Sequence, residues 1–300
     1  MIDQPLVSII INCFNGEKFL QKALDSVISQ TYKNWEIIFW DNESTDKSAE
    51  IFKSYKDIRF KYYKASKHSE ILYAAKNYAL EKANGQFYAF LDVDDWWLSN
   101  KLEKQIPLFE DPKVGIVYGN FWYFFEKKNK TKIFRNKILP KGMILKDLLN
   151  NYPIGSPTYI IRKKSLESLN YNFNNKYHII GEFDLIIRLS VDWKADCVQK
   201  PVAHARIHGN NESYLKRDLE IKEMKILYEE MKSNPAFSTL KELEQLKRKY
   251  MYLQAMEVIL NKSFMKSFIE VIKYPLSFQK FKLALAMLMP KFLLKIIKTY

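Results

Sequence analysis

The chain has 300 residues, 47% hydrophobic and 15% aromatic, enough to bury a core and to exclude wholesale disorder. Lys and Arg exceed Asp and Glu by 48 to 34, and this net charge of +14 asks for an anionic partner such as nucleic acid or a membrane surface. Two cysteines, Cys13 and Cys197, exclude a disulfide scaffold or Cys-rich zinc module, and no two of the eight glycines are spaced as a G-x-G dinucleotide fingerprint.

The first hundred residues alternate strand-like and helix-like patterns. Leu6 to Ile11 is almost wholly apolar, as in a parallel strand covered on both faces. Phe19, Leu20, Ala23, Leu24, Val27 and Ile28 recur at helical spacing after the Asn15-Gly16 turn. Glu36 to Trp40 is a second strand, and Ser44-Thr45-Asp46 supplies cap-type residues before a helix over Ser48 to Tyr55. Arg59 to Tyr63 reads as a third strand, Glu70 to Ala83 as a helix stopped at Asn84-Gly85, and Phe87 to Leu91 as a fourth strand. Such an alternation predicts a parallel sheet with helices on both faces. Further on, Val114 to Phe125 is strand-rich, Met143 to Asn150 a short helix, Thr158 to Ile161 a strand and Phe183 to Val191 a helix. From about Tyr214 the pattern is helical, broken at Asn234-Pro235 and Tyr274-Pro275. No basic leader precedes the first strand and no apolar run is long enough to span a bilayer, so a cytoplasmic protein with reduced, buried thiols is expected.

Asp92, Asp94 and Asp95 follow the fourth strand directly, at the edge where open α/β sheets bind ligands. In an extended segment Asp92 and Asp94 share one side, and like charges so close call for a cation. Hard oxygen donors suit Mg²⁺ or Mn²⁺, which in turn holds a diphosphate. Helix capping near Ser99 is the competing account. Asn12 to Asn15 and Asp41 to Asp46 are two further polar loops at the same rim, suited to a base or ribose edge. His204 and His208 have helical zinc spacing, but nothing completes such a site and Pro201 precedes a strand-like run.

In their order and spacing these residues resemble the family 2 glycosyltransferases of the GT-A fold. The resemblance runs from Val7 to Ser213 through Asn12-Cys13-Phe14-Asn15-Gly16, Asp41-Asn42-Glu43-Ser44, Ala75-Lys76-Asn77, Asp92-Val93-Asp94-Asp95, Gly181-Glu182-Phe183-Asp184 with Arg188, and Arg206-Ile207-His208-Gly209. It implies an α/β mixed sheet flanked by helices, with residues 1–213 as the catalytic domain (1–100 binding nucleotide, 101–213 the acceptor half) and 214–300 as a helical extension. It also implies inverting transfer of a sugar from a nucleotide-diphosphate sugar, a UDP-sugar foremost, to an acceptor hydroxyl on a glycan or lipid carrier. Asp94 and His208 would hold a divalent cation, Mg²⁺ or Mn²⁺. Asn12, Phe14, Asn15, Asp41, Asn42, Lys76, Asp92, Val93 and Arg206 would surround the donor. Glu182 stands where the family's catalytic Asp is usual, with Asp184 as the fallback base. Asn42 replaces an Asp that commonly reads uracil, which weakens the preference for UDP over TDP or GDP, and Asn12 stands where a Thr or Pro is usual, with a side chain that could also reach the base.

Val258 to Tyr300 carries eight lysines against one acid, Glu270, and so half of the chain's net charge. Phe264, Phe268, Ile272, Phe281, Leu285, Leu288, Phe292, Leu293 and Ile296 recur at helical intervals between them. That composition fits helices docking on an anionic membrane from the cytoplasmic side, or packing their apolar faces on the catalytic domain. With the basicity gathered there and an acidic rim around the crevice, nucleic acid is not expected as a partner. A nucleotide-sugar-binding protein with impaired catalysis is the alternative, prompted by Asn42 and Glu182.

Overall fold

The computed structural model describes residues 4–261, 264–290 and 294. They fall into two compact units, Met1–Gly209 and Asn210–Tyr300. The first opens with β1 (Val7–Cys13), α1 (Glu17–Ile28), β2 (Trp35–Asp41), α2 (Ser48–Ser54), β3 (Phe60–Lys64), α3 (Leu72–Leu80) and β4 (Phe87–Phe90). β1 lies between β2 and β4, parallel to both, and β3 extends β2 in parallel. As their apolar runs require, β1 and β2 are buried along nearly their whole length. The stripe Leu20, Ala23, Leu24 and Val27 of α1 packs on Ile9, Ile11, Ile37 and Phe39, each leucine, valine, isoleucine or phenylalanine contributing about 1.5–3 kcal/mol relative to exposure.

The pattern then changes. β5 (Trp96–Trp97), α4 (Lys101–Gln105), β6 (Val114–Phe125), β7 (Lys130–Ile133), α5 (Leu145–Asn151), β8 (Ile160–Arg162), α6 (Lys163–Glu167), α7 (Gly181–Leu189) and β9 (Lys194–Ile207) follow. β8 runs antiparallel to both β4 and β6, and β9 is parallel to β6 but antiparallel to β5. The sheet is therefore mixed, in the order β3-β2-β1-β4-β8-β6-β9-β5, with β7 paired to the end of β6. Its consequence for function is local: the carboxyl end of β9 comes beside the segment leaving β4.

Two helices differ from expectation. The one expected over Glu70 to Ala83 is shortened to α3, and the one expected from Phe183 starts two residues earlier, at Gly181, placing Glu182 in the first turn of α7. Glycine is required at 181, because a Cβ there would meet the Tyr73 ring at 2.3 Å. α7 thus docks its N-terminus directly on α3.

Lys101, the first residue of α4, is fully buried, and among the described residues its Nζ has no hydrogen-bond partner. Its ammonium lies 4.1 Å from the centre of the Trp97 ring, yet burial still pushes its pKa well below the usual lysine range. The folded chain then binds fewer protons than the unfolded one between that lowered pKa and the ordinary 10.5. Stability is expected to rise with pH through this window and to be lost as pH falls through the folded value. Urea unfolding of Lys101→Met at several pH values checks this: the slope should be shallower than in the wild type, and an equal slope refutes it.

The second unit is helical: α8 (Glu212–Leu215), α9 (Arg217–Ser233), α10 (Pro235–Ser238), α11 (Leu243–Asn261), α12 (Phe264–Lys273) and α13 (Phe278–Leu288). At the Asn234-Pro235 break the Asn234 side chain caps α10, accepting the Ala236 N–H at 3.0 Å. α12 and α13 bury one face, Val271 and Tyr274 meeting Leu283, Ala286 and Ile259 of α11. Their other faces are exposed: Met265, Phe268, Ile269 and Ile272 on α12, and Phe278, Phe281, Leu285 and Leu288 on α13. Lys262, Lys291, Lys295 and Lys298, with Phe292, Leu293 and Ile296, lie outside the described residues. Among the described residues no helix is long and apolar enough to cross a membrane.

Candidate active site

The loops after β1 and β2 are stitched into one rim. Asn15, at a positive φ of 54°, accepts the Thr45 N–H at 2.8 Å, and its own N–H donates to Ser44 Oγ at 3.0 Å. Asp46 serves two helix starts, accepting from Glu17 N at 2.9 Å and Ser48 N at 2.9 Å. Burial opposes its charge, but these hydrogen bonds and one from the Ser48 side chain hold its pKa below the usual range. Asp41 is buried, accepting from Ser44 N at 2.7 Å and Tyr62 Oη at 2.5 Å. Both ends of the Asn42 amide engage the Ser69 main chain, at 2.8 and 2.9 Å. Asp41 and Asn42 therefore build the rim, and with Asn42 Nδ2 also 3.2 Å from His68 Nδ1 the amide keeps little capacity for a base edge. Phe14 is half exposed and its ring lies 4.4 Å from that of His68, a residue that the sequence singled out for nothing. Asn12 donates to the Leu72 carbonyl at 3.4 Å, and among the described residues its buried Oδ1 has no hydrogen-bond partner. Val93 packs toward Gly16, where a Cβ would stand 3.1 Å from its Cγ2.

After β4 the acidic run closes a turn, the Asp95 N–H donating to the Asp92 carbonyl at 3.1 Å. Asp92 and Asp94 therefore do not share one side of an extended segment. The turn sends the three carboxylates to different partners, which relieves their repulsion. Asp94 Oδ2 lies 2.9 Å from His208 Nε2, beyond the end of β9. Asp95 turns inward and accepts the Arg206 N–H at 2.8 Å; burial, then Asp94 and Asp92, push its pKa well above the usual range. Arg206 is buried too, its Nε donating to the Asp94 carbonyl at 2.9 Å and its guanidinium 4.5 Å from the Phe19 ring and 4.9 Å from Trp96. It braces the Asp94 turn from behind. His204 stacks on Trp96 at 4.6 Å; burial and then Lys22 lower its pKa to about 4, so it stays neutral.

Asp92 points to the other half of the site. Lys76, buried on α3, places its ammonium 2.6 Å from Glu182 Oε1 and 3.3 Å from Asp92 Oδ1. Ser156 Oγ lies 2.7 Å from Asp92 Oδ2 and 3.1 Å from Glu182 Oε1. Glu182 is thereby joined to the acidic turn through two side chains. Asp184 is buried against Arg188, whose Nε donates to it at 2.9 Å and which also binds the Tyr171 and Asn172 carbonyls. That pair fixes the 171–172 loop on α7. Ser156 could not be singled out from sequence, since nothing local distinguishes it from other loop serines.

Among the described residues no group of three or more His, Cys, Asp or Glu side chains is arranged to hold a metal ion. The protein offers instead one carboxylate and one imidazole, Asp94 and His208. This donor set fits a Mg²⁺ or Mn²⁺ ion that completes its shell with substrate phosphates and water.

A mixed sheet with a polar rim at the ends of its parallel strands and a carboxylate turn after the fourth is the architecture of the GT-A fold of glycosyltransferases. The chain matches the Glycosyl transferase family 2 model over residues 8–169 and belongs to that family. It is 33% identical over 175 residues to UDP-Glc:alpha-D-GlcNAc-diphosphoundecaprenol beta-1,3-glucosyltransferase WfgD of Escherichia coli, covering 58% of this chain and 67% of that protein. A second Escherichia coli glucosyltransferase is matched over about half of its length. Among solved structures, S. aureus TarS 1-349 has a TM-score of 0.66 at 16% identity, covering 89% of this chain and 77% of that one. The mannosyltransferase PcManGT from Pyrobaculum calidifontis, in complex with GDP-Man and Mn²⁺, has a TM-score of 0.60 at 14% identity, covering 97% and 88%. The family match ends before Glu182 and His208, whose placement here comes from the fold.

Proposed function

We propose that this glycosyltransferase moves a sugar, with inversion, from a nucleotide-diphosphate sugar to the hydroxyl of a glycan or lipid-linked acceptor in cell-surface polysaccharide or lipopolysaccharide synthesis. The observation that carries this reading is the linkage of Glu182 to Asp92 across Lys76 and Ser156, beside the Asp94–His208 pair. Asp94 and His208 would hold a divalent cation, which supplies charge neutralisation for the departing diphosphate. Asp92 contacts the donor sugar or ribose, and Phe14 and the rim loops seat the base. Glu182 takes the proton of the acceptor hydroxyl as its oxygen bonds to the anomeric carbon and the bond to the diphosphate breaks. UDP is the preferred nucleotide, supported by WfgD, whose name specifies UDP-Glc, and by the UDP complex of TarS. Thermal-shift titration with UDP-, GDP- and TDP-sugars, with and without Mn²⁺, tests the reading: stabilisation should require nucleotide and metal together, and a shift with neither overturns it.

The enzyme meets its acceptor at the inner face of an anionic membrane. Support comes from the exposed stripes of α12 and α13, flanked by Lys266, Lys273, Lys280 and Lys282, and from the diphosphoundecaprenol in the name of WfgD. Phe268→Asp combined with Phe281→Asp is expected to abolish co-sedimentation with phosphatidylglycerol vesicles while donor hydrolysis continues. Undiminished binding defeats this assignment.

A further inference from the structure

We propose that Lys76 and Ser156 are positioning residues that bind Glu182 by one oxygen and Asp92 by both, leaving the second Glu182 oxygen to face the acceptor. The proposal rests on Glu182 being the base.

Four separate segments meet here: α3, the turn after β4, the loop before β8 and the first turn of α7. Lys76 lies one turn along α3 from Tyr73, and Glu182 adjoins Gly181, so the close Tyr73–Gly181 packing is also what brings the ammonium to the carboxylate. Glu182 Oε1 accepts from Lys76 and lies 3.1 Å from Ser156 Oγ, whose single hydroxyl proton it shares with the nearer Asp92 Oδ2, and Oε2 hydrogen-bonds to neither Lys76 nor Ser156. Asp92 is held at both oxygens, Oδ1 by Lys76 and Oδ2 by Ser156. Both carboxylates are thus fixed in rotation as well as in place, and a base held within hydrogen-bond reach of its proton is what general-base catalysis needs.

Charge makes the same demand. Lys76 is 3% exposed, and two carboxylates share its single positive charge. Burial works against that charge, but Asp92 and Glu182 outweigh it and hold the lysine above its ordinary range, so it stays an ammonium and does not exchange the proton. The other groups beside Glu182 are the buried phenols of Tyr73, Tyr152 and Tyr159, raised well above the ordinary tyrosine range first by burial and then by Glu182. Without Lys76 the Glu182 carboxylate would face a second negative charge across one serine hydroxyl with no cation between them, which disfavours its charged, proton-accepting form.

Two measurements on the full chain test this. In a stability cycle, Lys76→Met should lower Tm, and adding Glu182→Gln should recover at least half of the loss; strictly additive losses overturn the coupling. In donor hydrolysis with Mn²⁺, using the nucleotide sugar giving the largest thermal shift, Lys76→Met should reduce kcat about 100-fold and move its acid-side fall about one pH unit upward or more. Lys76→Arg, which keeps the charge but not the position, should restore the pH profile without restoring the rate. Ser156→Ala, a change small enough to fold, should lower kcat about 10-fold with donor KM within about 2-fold. A Lys76→Met variant whose donor KM rises while its pH profile stays fixed would show the lysine serving the diphosphate and would overturn the proposal. Activity retained in Glu182→Gln alone would fell the base assignment instead, a separate result.

Discussion

Glu182→Gln is expected to lower donor turnover by about 100- to 10,000-fold, the range over which a positioned general base contributes. The substitution preserves volume and an oxygen able to accept from Lys76 and Ser156, 2.6 and 3.1 Å away, so the carboxylate is removed without disturbing its frame. Donor-dependent thermal stabilisation should therefore survive, and the loss should appear in kcat rather than in donor affinity. Asp184→Asn makes the contrast. Asp184 is buried in a pair with Arg188, and burial, against the pull of that arginine, holds its pKa above the usual range. Its loss should show first as a lower Tm, because it frees a guanidinium that also anchors the Tyr171 and Asn172 carbonyls. A fully active Glu182→Gln enzyme would remove the central claim about the chemistry.

Asp94→Ala carries the second large expectation, a loss of about 1,000-fold in kcat/KM with the Mn²⁺-dependent thermal shift abolished, since a Lewis-acidic cation supplies several kcal/mol to a departing diphosphate. Asp94 is partly exposed and its Oδ2 meets His208 Nε2 at 2.9 Å, so the two side chains already converge as a donor pair. His208→Ala should weaken the Mn²⁺ effect in the same direction, and chelation of the wild-type enzyme should reproduce the Asp94→Ala phenotype until Mn²⁺ is restored. Full activity after exhaustive chelation would contradict the metal assignment.

The parallel half of the sheet was legible because its information is local. Continuous apolar strands, a helical stripe from Leu20 to Val27, and polar residues following each strand are patterns within a dozen positions. Order and spacing along the chain also sufficed to mark Asp94, Glu182 and His208 and to suggest the family. The antiparallel insertion of β8 was not legible, because a three-residue strand carries no orientation in its side chains. The directions of Asp92, Asp94 and Asp95 depend on one backbone hydrogen bond that closes a turn, a choice that an extended segment and a turn of the same residues leave equal in sequence.

Composition and periodicity by themselves determined an α/β fold with a carboxylate-rich strand end and a basic, helical C-terminal segment. Tertiary structure decided what those groups do, since partners 106 residues apart, such as Lys76 and Glu182, come together only when α7 lays Gly181 on Tyr73. It buried Lys76 and Arg206, both expected at the donor, and turned Asn42 to the Ser69 main chain. It also left the apolar stripes of α12 and α13 exposed while their opposite faces packed. The physical reason is common to all of these. A buried charge or amide must find its partner across the fold, and no propensity of the residue itself names which partner that will be.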